Sequence, residues 1–315
     1  MIETGGIPRI SLGHFPTPLH PVSDDRALWV KRDDLTGFAW AGNKARPLEF
    51  LMAEAGEQGA SHVVGGGLST SNFIAALASA ACQRGLRCHL LVPSPIEPTT
   101  SIRLARLAGA VVEEVTTPRD QLDEAIERRA TELAAQGHAV YPIPRGGANS
   151  TGALGFAAAA AELQHQLVSV GWPPADPCTV VIPVGSGASI AGLVAGTALA
   201  GTPLRIVGVS VSRSPDEIEA AIARLSGEVV TRLGADAAAL ASCDVHVIDR
   251  RSPPSREDAR RAAGAMACRG LLVDDHYGLP AWLAAQEIAS EQRRVVLWLT
   301  GGMAGVPHVL AEVER

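Results

Sequence analysis

Aromatic side chains are scarce, 4% of 315 residues, so a core has to be built mostly from Ala, Val, Leu and Ile. That composition suits helices packed closely on a parallel sheet. An excess of positive charge is also missing: 27 Lys and Arg stand against 33 Asp and Glu, for a net charge of -6. The basic footprint needed to bind a phosphate backbone is lacking, and nucleic acid is not an expected partner. The five cysteines, Cys82, Cys88, Cys178, Cys243 and Cys268, are odd in number and form no Cys-x-x-Cys pair. They read as buried thiols in a reducing compartment, neither a disulfide framework nor a zinc site. No second His or carboxylate stands at ligand spacing from His276, so no metal is expected. No run approaches the roughly 18 consecutive apolar residues of a membrane span. The stretch Met1–Leu12 contains Glu3 and Pro8 and lacks the apolar segment of a leader. A soluble, cytoplasmic protein with no membrane partner is expected.

What is present is a globular composition, 47% hydrophobic and 19% charged, long enough at roughly 150 residues per domain for two domains or one large one. Short β-branched runs alternate with helical stretches. Strands are expected at Leu28–Asp33, His62–Gly65, Cys88–Val92, Val111–Val115, Ala139–Ile143, Thr179–Val184, Arg205–Ser210, Val245–Ile248 and Val295–Leu299. Between them, helices are expected over segments such as Ala45–Ala55, Asn72–Arg84, Arg119–Ala135, Gly152–Val170 and Ser189–Ala200. This is the rhythm of βα units in an α/β fold, whose ligands sit where strands run into helices.

Four such junctions carry polar or glycine-rich signals. The first runs from Lys31-Arg32-Asp33-Asp34 through Thr36-Gly37 to Gly42-Asn43-Lys44, where a helix opens. A lysine at a helix start sits where the dipole disfavours a second positive charge, which favours the free amine of Schiff-base chemistry; a surface lysine is the plain alternative. The second, Gly65-Gly66-Gly67 followed by Ser71-Asn72, offers either a carboxylate-binding helix start or a simple N-cap. The third is Gly185-Ser186-Gly187-Ala188-Ser189, whose successive amides form a nest for a phosphate monoester. Its spacing is not Gly-x-Gly-x-x-Gly, and no acidic residue follows Ser210-Val211-Ser212, which argues against a dinucleotide. The fourth ends a strand at Thr300-Gly301-Gly302, with Asp274-Asp275-His276-Tyr277-Gly278 nearby in sequence; Tyr277 reads as core or as catalysis.

Taken together, Phe15-Pro16-Thr17-Pro18-Leu19, Lys31–Gly37, Gly42–Glu49, Gly146–Asn149, Gly152–Gly155, Gly185–Gly192 and Thr300–Gly302 resemble the fold-type II pyridoxal-phosphate enzymes. The resemblance is to the tryptophan synthase β-like group, in the branch with D-cysteine desulfhydrase and 1-aminocyclopropane-1-carboxylate deaminase. It covers about residues 15 to 305. It implies two open, mostly parallel twisted sheets flanked by helices, with pyridoxal 5'-phosphate held between two domains. A large domain would comprise 1–45 and 155–315, and 46–154 a small one closing over the substrate. Lys44 would carry the cofactor as a Schiff base, Gly185, Ser186, Gly187, Ala188 and Ser189 would cradle its phosphate, Asn72 would lie beside its phenolic oxygen and Thr300 against its pyridine nitrogen. Ser71 would move a proton near the substrate carboxylate, Tyr277 would line the substrate side, and the assembly would be a homodimer.

Departures from the family pattern bear on the reaction. A glutamate that follows the matched tyrosine in the deaminase is Gly278 here, which leaves the neutral Thr300 hydroxyl and favours β-elimination over cyclopropane opening. The family's Gln-Ser-Asn-His reads Thr70-Ser71-Asn72-Phe73, and a lysine after the tyrosine is Pro280. The expected activity is α-proton abstraction and β-elimination from a small amino acid, giving a 2-oxo acid and ammonia. Alternatives are β-replacement, the deaminase reaction, and a non-catalytic ligand-binding relative.

Overall fold

The computed structural model describes residues 6–22, 27–172, 178–201, 204–291 and 294–302. The leader reading over Met1–Leu12 therefore lies partly outside the described residues, as do residues 303–305 of the resemblance. The strands are β1 (Leu19–Pro21), β2 (Leu28–Arg32), β3 (His62–Gly66), β4 (Arg87–Pro93), β5 (Val111–Val115), β6 (Val140–Pro142), β7 (Cys178–Val184), β8 (Leu204–Ser210), β9 (Asp244–Asp249) and β10 (Val295–Leu299). The helices are α1 (Ala45–Glu57), α2 (Asn72–Gln83), α3 (Thr100–Leu107), α4 (Leu122–Ala135), α5 (Ser150–Ser169), α6 (Ala188–Ala200), α7 (Pro215–Arg232), α8 (Arg256–Ala267) and α9 (Gly278–Glu291).

These strands form two sheets. One has six strands in the order β1-β2-β10-β7-β8-β9, and the other four in the order β5-β4-β3-β6. Every pairing is parallel except β1 with β2. The four-stranded sheet is an insertion in the chain, made between β2 and β7. Sequence periodicity missed β1, whose Leu-His-Pro carries no β-branched residue. It is an antiparallel edge strand, where Pro21 costs no central ladder bond.

Both faces of each sheet are covered, as parallel pairing requires. Along β7, Val180, Ile182 and Val184 point into one apolar cluster with Trp298 and Phe156, while Val181 points into another with Leu297 and Trp282. In the smaller sheet Val63 and Leu90 face α1 and α2, and Val64 and Leu91 face α4. The Ala-rich run 157–161 lies in α5, where small side chains let α6 approach: a Cβ on Gly192 would overlap the Ala153 carbonyl oxygen.

Two readings need correction. Cys88 and Cys178 are buried and Cys243 is half-buried, but Cys82 and Cys268 are exposed because they fall at the ends of α2 and α8. Phe73, read as a departure on the substrate side, is 1% exposed and packs in the core near Leu51 and Gly147.

A buried ionic cluster joins the inserted segment to the larger sheet. The Arg46 guanidinium donates to both Asp33 oxygens at 2.7 and 2.8 Å and to both Glu162 oxygens at 2.9 Å. Asp33 also accepts from Thr17 Oγ1 and Trp298 Nε1, each at 2.8 Å. Lys31 Nζ donates to Glu162, to the Thr17 carbonyl at 2.6 Å and to Gln166 at 2.7 Å. Two cations face two carboxylates, so the cluster is internally neutral. Despite the opposing cost of burial, its arginine and lysine bonds hold the Glu162 carboxyl down at about 2.

Candidate active site

Lys44 ends a short 3-10 turn, Gly42–Lys44, and is the residue from which α1 begins. Three contacts lock this turn. Gly42 has φ +55, and a Cβ there would overlap the Thr300 carbonyl oxygen. The Asn43 N–H donates to that same carbonyl at 2.7 Å, and the Asn43 side-chain amide donates to Ser189 Oγ at 3.3 Å. The lysine is thereby fixed between the end of β10 and the start of α6, two junctions separated from it by more than 140 residues. Among the described residues its amine forms no hydrogen bond and no ion pair. Burial alone lowers its pKa from 10.5 to about 8, so about a tenth of the amine is free base at pH 7, roughly 300-fold more than for an exposed lysine.

The turn after β7 has the shape of an anion nest. Gly187 has φ +94 and stands at the N-terminus of α6, where no side chain caps the first amides. The N–H groups of Ala188 and Ser189 are thus free of helical acceptors and face the same end as Asn43. Tyr277 closes one side, since its hydroxyl lies 3.0 Å from where a Cβ on Gly185 would stand. On another side Ser186 Oγ is 3.1 Å from the corresponding point on Gly146.

The junction after β3 contributes Ser71 and Asn72. Ser71 occupies the N-cap of α2, yet its hydroxyl makes no capping bond, so the plain capping alternative fails for its side chain. Asn72 opens the helix, and its Oδ1 is buried without a hydrogen-bond partner. A buried amide atom left unpaired is costly and calls for an absent partner. α2 packs against the turn that carries Lys44. Thr300 is 7% exposed at the end of β10.

Sequence reasoning missed Asp274. It is 5% exposed, accepts from the Tyr277 N–H at 2.6 Å and the Gly278 N–H at 3.3 Å, and would be overlapped by a Cβ on Gly302. Desolvation raises its pKa from 3.8 to about 6. No pattern marks it in sequence, because its burial depends on α9 folding back onto the end of β10. His276 is exposed and meets Tyr277 edge-on at 4.5 Å between centroids. Among the described residues, no three His, Cys, Asp or Glu side chains converge to hold a metal ion.

A free amine of lowered pKa, an uncapped amide nest and an orphaned amide beside them fit an aldehyde cofactor with an anionic tail. The match of a family model agrees: the model described as pyridoxal-phosphate dependent enzyme covers residues 10–301. The chain belongs to the pyridoxal-phosphate dependent enzyme family. Among its relatives, the D-cysteine desulfhydrases of Salmonella choleraesuis and Salmonella newport are each 32% identical, over 96% of this chain and 97% of theirs. A crystal structure of an ACC deaminase homologue superposes with a TM-score of 0.86 at 26% identity, covering 98% of this chain and 97% of that one. Serine racemase from Dictyostelium discoideum shares the fold, with a TM-score of 0.65 at 16% identity over 91% and 92%. The pyridoxal-phosphate enzyme fold expected from the sequence, with two mostly parallel sheets flanked by helices, is the one observed. No helix among the described residues is long and apolar enough to cross a membrane.

Proposed function

We propose that this pyridoxal-phosphate dependent enzyme is a lyase that removes the α-proton of a small amino acid and expels a β-substituent, leaving a 2-oxo acid and ammonia. Its likeness to D-cysteine desulfhydrases along nearly the whole chain supports that reaction class. The observation that carries the reading is the unpartnered Lys44 amine on a turn bonded to both Thr300 and Ser189. When bound, the cofactor supplies an electron sink for the charge left on the substrate's α-carbon.

The protein's own groups divide the remaining work. Lys44 holds the cofactor and, as a free base, takes the α-proton. Ser71, with a hydroxyl committed to no cap, passes a proton near the substrate carboxylate. Gly185, Ser186, Gly187, Ala188 and Ser189 would hold the phosphate through their amides, and the Asn72 side-chain amide would donate to the phenolic oxygen. Thr300 would present a neutral hydroxyl to the ring nitrogen. Asp274 is occupied by the two amides that open α9. A neutral partner favours departure of a β-group over ring opening, so elimination is preferred to the deaminase reaction. Tyr277 borders the substrate. Residues 46–154 act as the small domain that closes over it and excludes water. The working form is a cytoplasmic homodimer.

The test is to supply the purified holoenzyme with D- and L-amino acids and to measure 2-oxo acid and ammonia. Both products are expected from at least one small amino acid, and Ser71→Ala should keep the visible colour while losing turnover. A holoenzyme that turns over no member of the panel would refute the assignment, and full activity in Ser71→Ala would remove that residue from it.

A further inference from the structure

Resting on that reading, the surroundings of Tyr277 define the substrate more narrowly. Arg119 and Arg213 act on Tyr277 from separate parts of the chain, and Arg145 stands behind them. Arg145 immediately precedes Gly146, the neighbour of Ser186, and is held by Asp123 through its guanidinium at 2.8 and 3.0 Å and its N–H at 2.8 Å. Its other arm donates to the Arg119 carbonyl, which fixes the exposed Arg119 alongside. Arg213 follows β8, whose last residue, Ser210, is in register with Val184 at the end of β7, one residue before Gly185. Arg213 is half-buried, and its pKa is lowered by desolvation and by the charges of Arg145 and Arg119. Tyr277 in turn feels both Arg119 and Arg213.

The nearby carboxylates offset this group only in part: Asp123 and Glu217 both act on Arg213, but they are two against three arginines, Asp123 is ion-paired with Arg145, and Glu217 closes the capping box of α7 with Ser214. Arg119 and Arg213 form no ion pair among the described residues, in a chain whose net charge is -6. Beside Arg213, Ser212 Oγ is buried without a hydrogen-bond partner. Arginines that repel one another, next to a buried hydroxyl without a partner, make a site suited to an anion.

We propose that Arg119 and Arg213, backed by Arg145 and Ser212, select an amino acid whose side chain ends in an anionic group, a carboxylate, sulfonate or phosphate. The amides of the Gly185–Ser189 turn already serve the cofactor's phosphate, and the arginines lie on the Tyr277 side of that turn.

The experiment titrates the holoenzyme with both enantiomers of aspartate, cysteate and O-phosphoserine, and with asparagine, cysteine and serine as neutral counterparts. Apparent Kd is read from the change in cofactor absorbance. At least one anionic ligand is expected to bind about tenfold or more tightly than its counterpart, with a ratio that shrinks as salt is added. Arg213→Gln and Arg119→Gln should collapse the ratio, Arg213→Lys should keep most of it, and neither Gln variant should lower Tm, because each relieves like-charge repulsion. A ratio near one in the native protein, or one that survives the double Gln variant, overturns the proposal. So does a Gln variant that weakens cofactor binding and leaves ligand preference intact, since the arginines would then serve the cofactor. Absorbance that responds to neutral amino acids without preference sinks this inference alone, whereas absorbance that responds to no amino acid sinks the lyase reading with it.

Discussion

The chain has two lysines, thirteen positions apart, and the fold treats them in opposite ways. Lys31 is 0% exposed, and its ammonium is saturated by Glu162, Gln166 and the Thr17 carbonyl. Lys44 has no partner among the described residues, and desolvation acts on it unopposed. Burial lowers the pKa of both, but for Lys31 the charges of Glu162 and Asp33 pull back toward the protonated form. Burial thus leaves one lysine a structural cation and the other an unpaired amine of lowered pKa, as the proposed nucleophile needs, and the presence or absence of a carboxylate is what separates them.

The strongest way to break this comparison is to remove each group in turn. On the proposed reading, Lys44→Ala lowers turnover by about 10,000-fold and abolishes the visible absorbance of the purified protein, with Tm nearly unchanged. Retained absorbance would contradict it. Glu162→Ala should do the reverse, keeping the absorbance but costing about 3–5 kcal/mol in denaturant unfolding, because Lys31 and Arg46 lose their shared carboxylate. The sign for Glu162 follows from its depressed pKa. Its contribution is present above the ordinary 4.5 and lost as pH falls toward 2, so parent and variant should converge in acid.

Asp274 sharpens the comparison as a buried carboxylate held by amides with no cation of its own. Its pKa is raised, so the fold favours the protonated form; that stabilisation is full below pH 3.8 and lost as pH rises through about 6. The stability difference between the parent and Asp274→Asn should shift by about 2 kcal/mol between pH 4 and pH 7, in the variant's favour at the higher pH. A difference independent of pH would show that Asp274 stays ionised throughout. The smallest effect is kinetic. Trapping of added pyridoxal phosphate by the apoprotein should rise about 50-fold from pH 6 to pH 8 and then level off, following free Lys44 amine of pKa about 8. A rate still climbing at pH 10 would mean an ordinary exposed lysine.

Much of this fold was legible because parallel strands buried on both faces read as short apolar runs. All expected strands are present, and only the edge strand β1, three residues of mixed polarity, escaped notice. The junction signals at Lys44, Ser71, Gly185 and Thr300 were legible for a related reason, since glycines and hydroxyls interrupt those runs where strands end. What joins the junctions was not legible. The Asn43 bond to Ser189 spans 146 positions, and Asp274 acquires its raised pKa only when α9 returns to the end of β10. Phe73 shows the converse: adjacent to Asn72 in sequence, it turns into the core because a helix points successive side chains to different faces.

The central claim is that the cofactor is borne by Lys44 and no other amine. Reduction of the holoenzyme with borohydride fixes the cofactor to whichever amine holds it, and mass spectrometry of the digested chain then locates it, with two lysines to tell apart. The account predicts the added mass on the peptide containing Lys44 alone. The same mass on the peptide containing Lys31, or on neither, would contradict it.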